Sequence, residues 1–319
     1  MTDPTVTVAI ATYLRDGVLV DTLRQVLAQQ PQPDEIIVVD QTPIHGASTL
    51  AYLKDGSSAG LFRWIQQKRP SLTMARNRAL VEAKGEIVLF IDDDVWLPDG
   101  FIQAHVACHA TWHVDIVSGP VKRSVEEPLT VDELPTSSPK ALAMTVPPNY
   151  GRPWHGIPKI HGNNHSVRKQ AAIATGGYDE HFLGPALCED TDFAFRAVAC
   201  GFSIGYEPTA WLVHLAAPSG GCRIPGSSSW KEWEKSMTPL LFALRHSTNA
   251  RLPWAVYGTL AKMALRAGPL RRENVLHFWR QPYAWASLLY AWFVAHKYVE
   301  HGVESPFVGR RYAAARQWL

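Results

Sequence analysis

Apolar residues arrive along this chain in two alternating patterns, short unbroken runs and three-to-four-residue spacings. Residues 6–11 (VTVAIA) predict a buried strand, and 18–29 follow with Leu19, Leu23, Val26 and Leu27 on one helical face, stopped by Pro31 and Pro33. Residues 35–40 (EIIVVD), 62–66 and 86–91 (EIVLFI) predict three more strands. Between the last two lies a helix over 71–83, with Ser71 as its N-cap and Gly85 just past its end. A helix over 101–111 and a strand over 116–121 continue the series. Further on, 160–167 resumes ordered structure, 168–175 is a short helix closed by Gly176-Gly177, 190–199 is a helix, and 203–214 holds one or two short strands. Strand–helix–strand alternation of this kind predicts an α/β fold built on a mostly parallel, Rossmann-like sheet flanked by helices.

The pattern changes twice. Residues 122–158 are weakly periodic and rich in Pro, which predicts a long inserted loop or lid. From Trp230 onward the spacing is helical, interrupted at Pro239, Pro253, Pro269 and Pro282. The expected organisation is one α/β domain over 1–229 and a helical extension over 230–319; 319 residues with 46% apolar content can bury a core of that size. Charge divides the same way. Residues 1–229 carry 18 Lys+Arg against 24 Asp+Glu, a balance of −6, whereas 230–319 carry 13 against 5, a balance of +8. Trp230, Trp233, Trp254, Trp279, Trp285 and Trp292 stand among those basic residues. Such a tail suits packing on the main domain, contact with an anionic membrane interface, or a partner or oligomer surface. The four cysteines form no CxxC pair, the N-terminus shows no signal-peptide pattern, and the apolar stretch 283–295 is too short to cross a bilayer. These features predict a cytoplasmic protein, peripheral at the inner face of the membrane if the tail binds it.

Acidic residues collect where strands end. Asp40 closes the second strand, and Asp92-Asp93-Asp94 closes the fourth. In an open α/β sheet, ligands sit outside the carboxyl ends of strands. Three adjacent carboxylates repel one another unless a cation or hydrogen-bond donors offset the charge, and oxygen ligands suit Mn²⁺ or Mg²⁺. A second acidic group, Glu189-Asp190-Thr191-Asp192, opens a helix, where capping and the helix dipole alone would account for it. His214 ends a strand (AWLVH), and His105, His109 and His113 recur at four-residue spacing, which predicts a surface or core-edge face rather than a zinc stripe.

Taken in order, VTVAIATY, EIIVVDQT, TMARNRALVEA, GEIVLFIDDDVWLP, GNNHSVR, GGYDEHF and EDTDFAFR resemble segments of glycosyltransferase family 2, inverting enzymes of the GT-A fold. The resemblance spans roughly residues 5–215. It is nearest in pattern to galactofuranosyl- and rhamnosyltransferase-like members, which share an Asp triplet, an acidic pair and a later histidine. It implies that Asp94, with Asp92 and His214, holds Mn²⁺ or Mg²⁺, and that Thr12, Tyr13, Asp40, Arg76, Asp92, Asp93 and Trp96 line the nucleotide-sugar pocket. Asp190 would be the catalytic base, with Glu189 beside it on acceptor or donor. The partners so implied are a nucleotide-sugar donor, with a UDP- or dTDP-sugar favoured, and a glycan, glycolipid or other hydroxyl acceptor. Gln41-Thr42-Pro43 depart from the family's usual Asp/Asn and Ser at that place.

Other chemistries lack their motifs. No GxGxxG or GxxxxGK[ST] follows the first strand, and there is no GxSxG elbow. A nucleotidyltransferase would need a Gly-rich basic loop where residues 11–15 read ATYLR. The main domain has no basic stripe for nucleic acid. The remaining alternative is a silent nucleotide-sugar-binding module or partner subunit.

Overall fold

The structure, a computed structural model, describes residues 4–129, 154–155, 159–221, 232–246 and 281–308. Its strands are β1 (Val6–Thr12), β2 (Glu35–Asp40), β3 (Arg63–Gln66), β4 (Ile87–Ile91), β5 (Val95–Trp96), β6 (Ile116–Ser118), β7 (Val121–Lys122), β8 (Trp154–His155), β9 (Asn164–Arg168), β10 (Ile204–Tyr206) and β11 (Leu212–His214). Its helices are α1 (Gly17–Ala28), α2 (Ala47–Ser58), α3 (Leu72–Glu82), α4 (Phe101–Trp112), α5 (Lys169–Ala174), α6 (Glu189–Ala199), α7 (Glu232–His246) and α8 (Gln281–His301).

Eight strands form one sheet in the order β3-β2-β1-β4-β9-β6-β10-β8, and β5-β11-β7 form a second. β1, β2 and β4 run parallel, as unbroken apolar runs covered on both faces should, and the partly buried edge strand β3 runs parallel to β2. β9 runs antiparallel between β4 and β6, so the sheet is mixed at its centre. Strand alternation sorts the core into two layers. Val8, Ile10, Val38 and Leu89 meet α1, α2 and α4 through Leu23, Leu53 and Phe101 on one face. Ala9, Ile37, Val39 and Phe90 meet α3, α5 and α6 through Leu80, Ala171 and Phe193 on the other.

Several elements differ from the sequence reading, among them the short strands β5 and β8, which it did not include. The strand expected over 116–121 is two, β6 and β7, which belong to different sheets; the chain turns between them at Gly119, where a Cβ would overlap the Ala210 carbonyl. Helix α2 was not visible in the pattern, because of its 12 residues only Thr49, Leu53 and Gly56 are buried. Pro239 does not interrupt α7, which runs through it. Its neighbours Met237, Leu240, Leu241 and Phe242 are buried against Ala291, Val294 and Ala295 of α8 and against Phe182 and Ala186, and this packing offsets the cost of the missing backbone hydrogen bond. Most of the expected 122–158 insertion lies outside the described residues, as do the expected breaks at Pro253 and Pro269; β8 pairs antiparallel with β10 at the sheet edge.

Candidate active site

Because β4 points its carboxyl end the same way as β1 and β2, its three following aspartates emerge beside Thr12 and Asp40, which are paired in register. The triplet then divides. Asp94 is buried, with Oδ1 3.1 Å from Nε2 of His214, while Oδ2 accepts from the Ala217 amide at 2.9 Å and from Arg15 Nη2 at 3.1 Å. Asp92 is half-buried, with Oδ2 3.8 Å from the same imidazole nitrogen. His214 reaches them because β11 pairs with β5, setting His214 opposite Val95. Ligand atoms of Asp92, Asp94 and His214 all lie within 4.8 Å of one another. Two carboxylate oxygens and an imidazole are a donor set that fits Mn²⁺ or Mg²⁺ and leaves coordination positions for phosphate oxygens and water.

Asp93 turns the other way. It accepts the Thr12 hydroxyl at 2.6 Å and lies 3.4 Å from Arg15 Nε. Burial pushes its carboxyl up to about 7, helped by Asp92 and Asp94 and opposed by the Thr12 hydrogen bond. Burial also works against ionised Asp94, but the hydrogen bond and charge of His214 prevail and hold it below the usual carboxylate range. Arg15, which the sequence reading passed over, is buried between Asp93 and Asp94 and also donates to the Ser219 carbonyl. The loop after β11 therefore closes over the triplet. The Gly221 amide donates to the Tyr13 carbonyl at 2.7 Å, and Gly220, at φ +84°, sits where a Cβ would collide with the Leu14 carbonyl.

The second acidic group also divides. Glu189 is buried and pairs with Arg76 Nη1 at 2.8 Å. Burial first, and the neighbouring Asp190 second, push its carboxyl up to about 8 against the pull of Arg76. Asp190 is half-buried, its Oδ2 accepting the Gly162 amide at 2.9 Å and its Oδ1 the Thr191 amide at 2.6 Å. Asp192 faces inward, away from both, and accepts from Arg196, Arg245 and His246. Arg76 joins the two acidic groups. Its Nη2 donates to the Gly162 carbonyl at 2.7 Å, its guanidinium lies over the Tyr178 ring, and its charge also acts on Asp92. A Cβ on Gly162 would lie 3.1 Å from Arg76 Nη2, from Asp190 Oδ2 and from Glu189 Oε1 alike, so a bare backbone is what lets these groups meet.

At the ends of β1 and β2, Thr12 and Asp40 are buried and Tyr13 is half-buried. Asp40 already accepts from the Thr42 amide at 2.8 Å, from His45 at 2.7 Å and from Trp64 Nε1 at 2.8 Å. His45 bridges Asp40 and Asp16; burial lowers its pKa, but the two carboxylates outweigh this and raise it. Trp96 is partly exposed and packs on Trp211 at 5.6 Å, with the Lys122 ammonium over the Trp211 ring. The histidines of α4 are not a surface face. His105 and His109 are fully buried, share Ser166 as partner and are pushed down to about 3 and about 4 by burial, so they are neutral core groups. A cavity of about 530 Å³ lies near Asp34, Glu35 and Lys84, at the amino ends of the strands, and none of Asp92, Asp93, Asp94, Glu189 or Asp190 lines it.

These features define a GT-A glycosyltransferase fold. Similar solved structures include S. aureus TarS 1–349 in complex with UDP-GlcNAc, at 16% identity and TM-score 0.61, covering 98% of this chain and 88% of that one. The mannosyltransferase PcManGT from Pyrobaculum calidifontis, in complex with GDP-Man and Mn²⁺, matches at 18% identity and TM-score 0.55, covering 93% and 87%. GalNAc-T7 with UDP, GalNAc and Mn²⁺ matches at 16% and TM-score 0.53 over 74% of this chain and 51% of its own. No curated protein matches the chain significantly in sequence. Residues 7–170 match Glycosyl transferase family 2, and the chain belongs to that family. It is a glycosyltransferase.

Proposed function

We propose that this enzyme moves a glycosyl group from a nucleoside-diphosphate sugar to an acceptor hydroxyl with inversion, using Asp190 as base and a divalent cation held by Asp92, Asp94 and His214. The observation that carries the reading is the meeting of Asp92, Asp94 and His214 at the mouth of the sheet, with Arg76, whose charge acts on Asp92, paired with Glu189 and bound to the Gly162 carbonyl beside Asp190. When bound, Mn²⁺ or Mg²⁺ supplies Lewis-acid stabilisation of the departing diphosphate. The chain's own residues do the rest. Thr12, Tyr13 and Asp40 shape the nucleoside end, with Trp96 and Asp93 at the edge and floor of the donor site. Glu189 and Arg76 fix the loop at Gly162, which in turn orients Asp190 through its amide. The acceptor oxygen bonds to the anomeric carbon as the bond to the diphosphate oxygen breaks, and the acceptor proton passes to the Asp190 carboxylate. One base and no protein nucleophile give a single displacement and inversion.

The resemblance to galactofuranosyl- and rhamnosyltransferase-like enzymes is what supports a UDP- or dTDP-sugar donor and a glycan, glycolipid or other hydroxyl acceptor. The solved relatives carry GDP-Man, UDP-GlcNAc or UDP with GalNAc, so they do not single out one base, and the pyrimidine rests on that resemblance. In Asp190→Asn, donor binding in the presence of Mn²⁺ should persist while transfer falls by about 10²–10⁴-fold. Transfer at the wild-type rate would remove Asp190 as base. Wild-type protein that binds donors with metal but neither hydrolyses nor transfers them would be a binding module instead.

A further inference from the structure

The Asp40 carboxylate stands at the carboxyl end of β2, but its side chain is 0% exposed. Oδ1 accepts the Thr42 amide, and Oδ2 accepts both Trp64 Nε1 at 2.8 Å and His45 Nε2 at 2.7 Å. The other imidazole nitrogen of His45, Nδ1, lies 2.9 Å from Asp16 Oδ1, which also accepts the Gly46 amide. An ionised carboxylate only accepts hydrogen bonds, so an imidazole between two of them satisfies both only when each of its nitrogens carries a proton. That species is the imidazolium. With the ring 2% exposed, its charge is matched by the two aspartates instead of by water.

The bridge spans two loops. Asp16 precedes α1 and Asp40 ends β2, so it ties residues 13–16 to residues 40–46. A second tie runs beside it, from the Leu14 amide to the Thr42 hydroxyl at 2.9 Å, with Leu14 at φ +54°. The first of these loops carries Tyr13, and from it Arg15 reaches Asp93 and Asp94. The distance between the loops therefore bears on the ends of β1 and β2 and on the Asp triplet together.

We propose that His45 is a positioning residue for the donor: bonded through both ring nitrogens to Asp16 and Asp40, it holds the loops after β1 and β2 at the spacing that accepts the nucleoside, and Asp40 acts through His45 and Trp64 instead of touching the base. This assignment rests on the reading of Thr12, Tyr13 and Asp40 as the nucleoside end. Its consequence is a pH dependence of donor binding. Asp16 and Asp40 are the charged groups that act on His45, and together they raise its pKa against the effect of burial. Trp64 from β3 and Thr49 from α2 bond the two carboxylates and do not titrate near neutral pH. The imidazolium is present below the raised pKa and is lost as pH rises through it, when one ring nitrogen turns a lone pair toward a carboxylate.

The test is titration calorimetry of the full chain with UDP, and separately with GDP, in saturating Mg²⁺ across about pH 6 to 9. Wild-type affinity for whichever nucleotide binds should fall toward the alkaline end. His45→Gln keeps a donor but cannot titrate; it should bind about tenfold or more weakly at the acid end and lack that fall. Asp16→Asn changes an exposed side chain that does not cap α1. It should leave the thermal transition in place and move the fall to lower pH, because one of the two carboxylates that hold the proton is gone. Wild-type affinity that is level across the range, an unmoved midpoint in Asp16→Asn, or a folded His45→Gln with wild-type affinity and profile would each overturn the proposal. Binding that is lost in Asp94→Ala yet indifferent to His45→Gln overturns the role of His45 alone. Wild type that binds neither nucleotide with metal at any pH overturns the reading of the nucleoside end, and the role of His45 with it.

Discussion

Each acidic residue of the site acquires its role from what its neighbours donate. Asp93 and Asp94 are adjacent in sequence, yet one is fastened to Thr12 and the other faces His214, so the two should respond differently to removal. Asp94→Ala takes away one of the three groups of the proposed cation site and is expected to weaken Mn²⁺-dependent binding of a nucleoside diphosphate about a hundredfold or more, measured by titration calorimetry. Asp93→Asn keeps an acceptor for the Thr12 hydroxyl, and is expected to leave that metal dependence in place. Loss of Mn²⁺ dependence in Asp93→Asn but not in Asp94→Ala would reverse the assignment. A similar contrast holds at Gly162, where a Cβ would press on Arg76, Glu189 and Asp190 together. Gly162→Ala should lower turnover more than it raises the Michaelis constant for donor, because it displaces the groups around Asp190, the proposed base, and leaves Asp92, Asp94 and His214 untouched.

At the scale of elements, α6 is held from two sides. Its first turn supplies Glu189 and Asp190 to the site, and Asp192, in the same turn, receives Arg245 at 2.9 Å and His246 at 2.9 Å from α7. Arg245 also reaches Asp179 at 2.5 Å, and Asp179 accepts the Glu304 amide beyond α8 at 2.9 Å. Both aspartates are fully buried. Burial alone would raise their pKa values, but Arg196, His246 and Arg245 around Asp192, and His181 and Arg245 around Asp179, hold both below the ordinary range. A depressed folded-state pKa stabilises above the unfolded value near 3.9 and loses that contribution as pH falls through the folded one. Arg245→Met is therefore expected to cost about 3 kcal/mol at neutral pH, since it leaves buried carboxylate charge uncompensated. The gap between wild type and variant in chemical denaturation should narrow as pH is taken below about 4. A gap unchanged with pH would mean that Arg245 stabilises by packing alone. The sequence showed Glu189-Asp190-Thr191-Asp192 as one acidic cluster opening a helix; that Asp192 serves α7 instead of the site follows only from helical rotation and from an arginine 53 residues away.

For the whole molecule, the sequence pattern divided the chain at residue 229, and charge divided it at the same place. Packing joins what those patterns separate. Phe182, Ala186 and Phe195 of the α/β body share a core with Met237, Leu241 and Phe242 of α7 and Ala295 of α8. A chain ending at residue 229 would expose that surface and strip Asp192 and Asp179 of Arg245, and is expected to be aggregated or to melt well below the full chain in calorimetry. Cooperative unfolding of the shortened chain at the full-length temperature would show the helices to be an independent appendage.

The sequence by itself determined the strands β1, β2 and β4, the helices α1, α3, α4 and α6 between and after them, and the places where carboxylates would emerge. Those are local facts, set by runs of apolar residues, by helical spacing and by the residue that follows a buried strand. It also carried the order of motifs that marks family 2. What it could not determine is partnership across distance. That Arg15 would lie between Asp93 and Asp94, that His45 and Trp64 would close on Asp40, and that Arg76 would serve Glu189 all depend on which ends of which strands lie side by side. Neutral His105 and His109 are of the same kind: four-residue spacing puts them on one face, but only the packing of α4 against β9 makes that face an interior, where a shared serine replaces water. A side chain's type and spacing are written locally, whereas its charge state and its partner are decided by the tertiary surroundings that remove it from water.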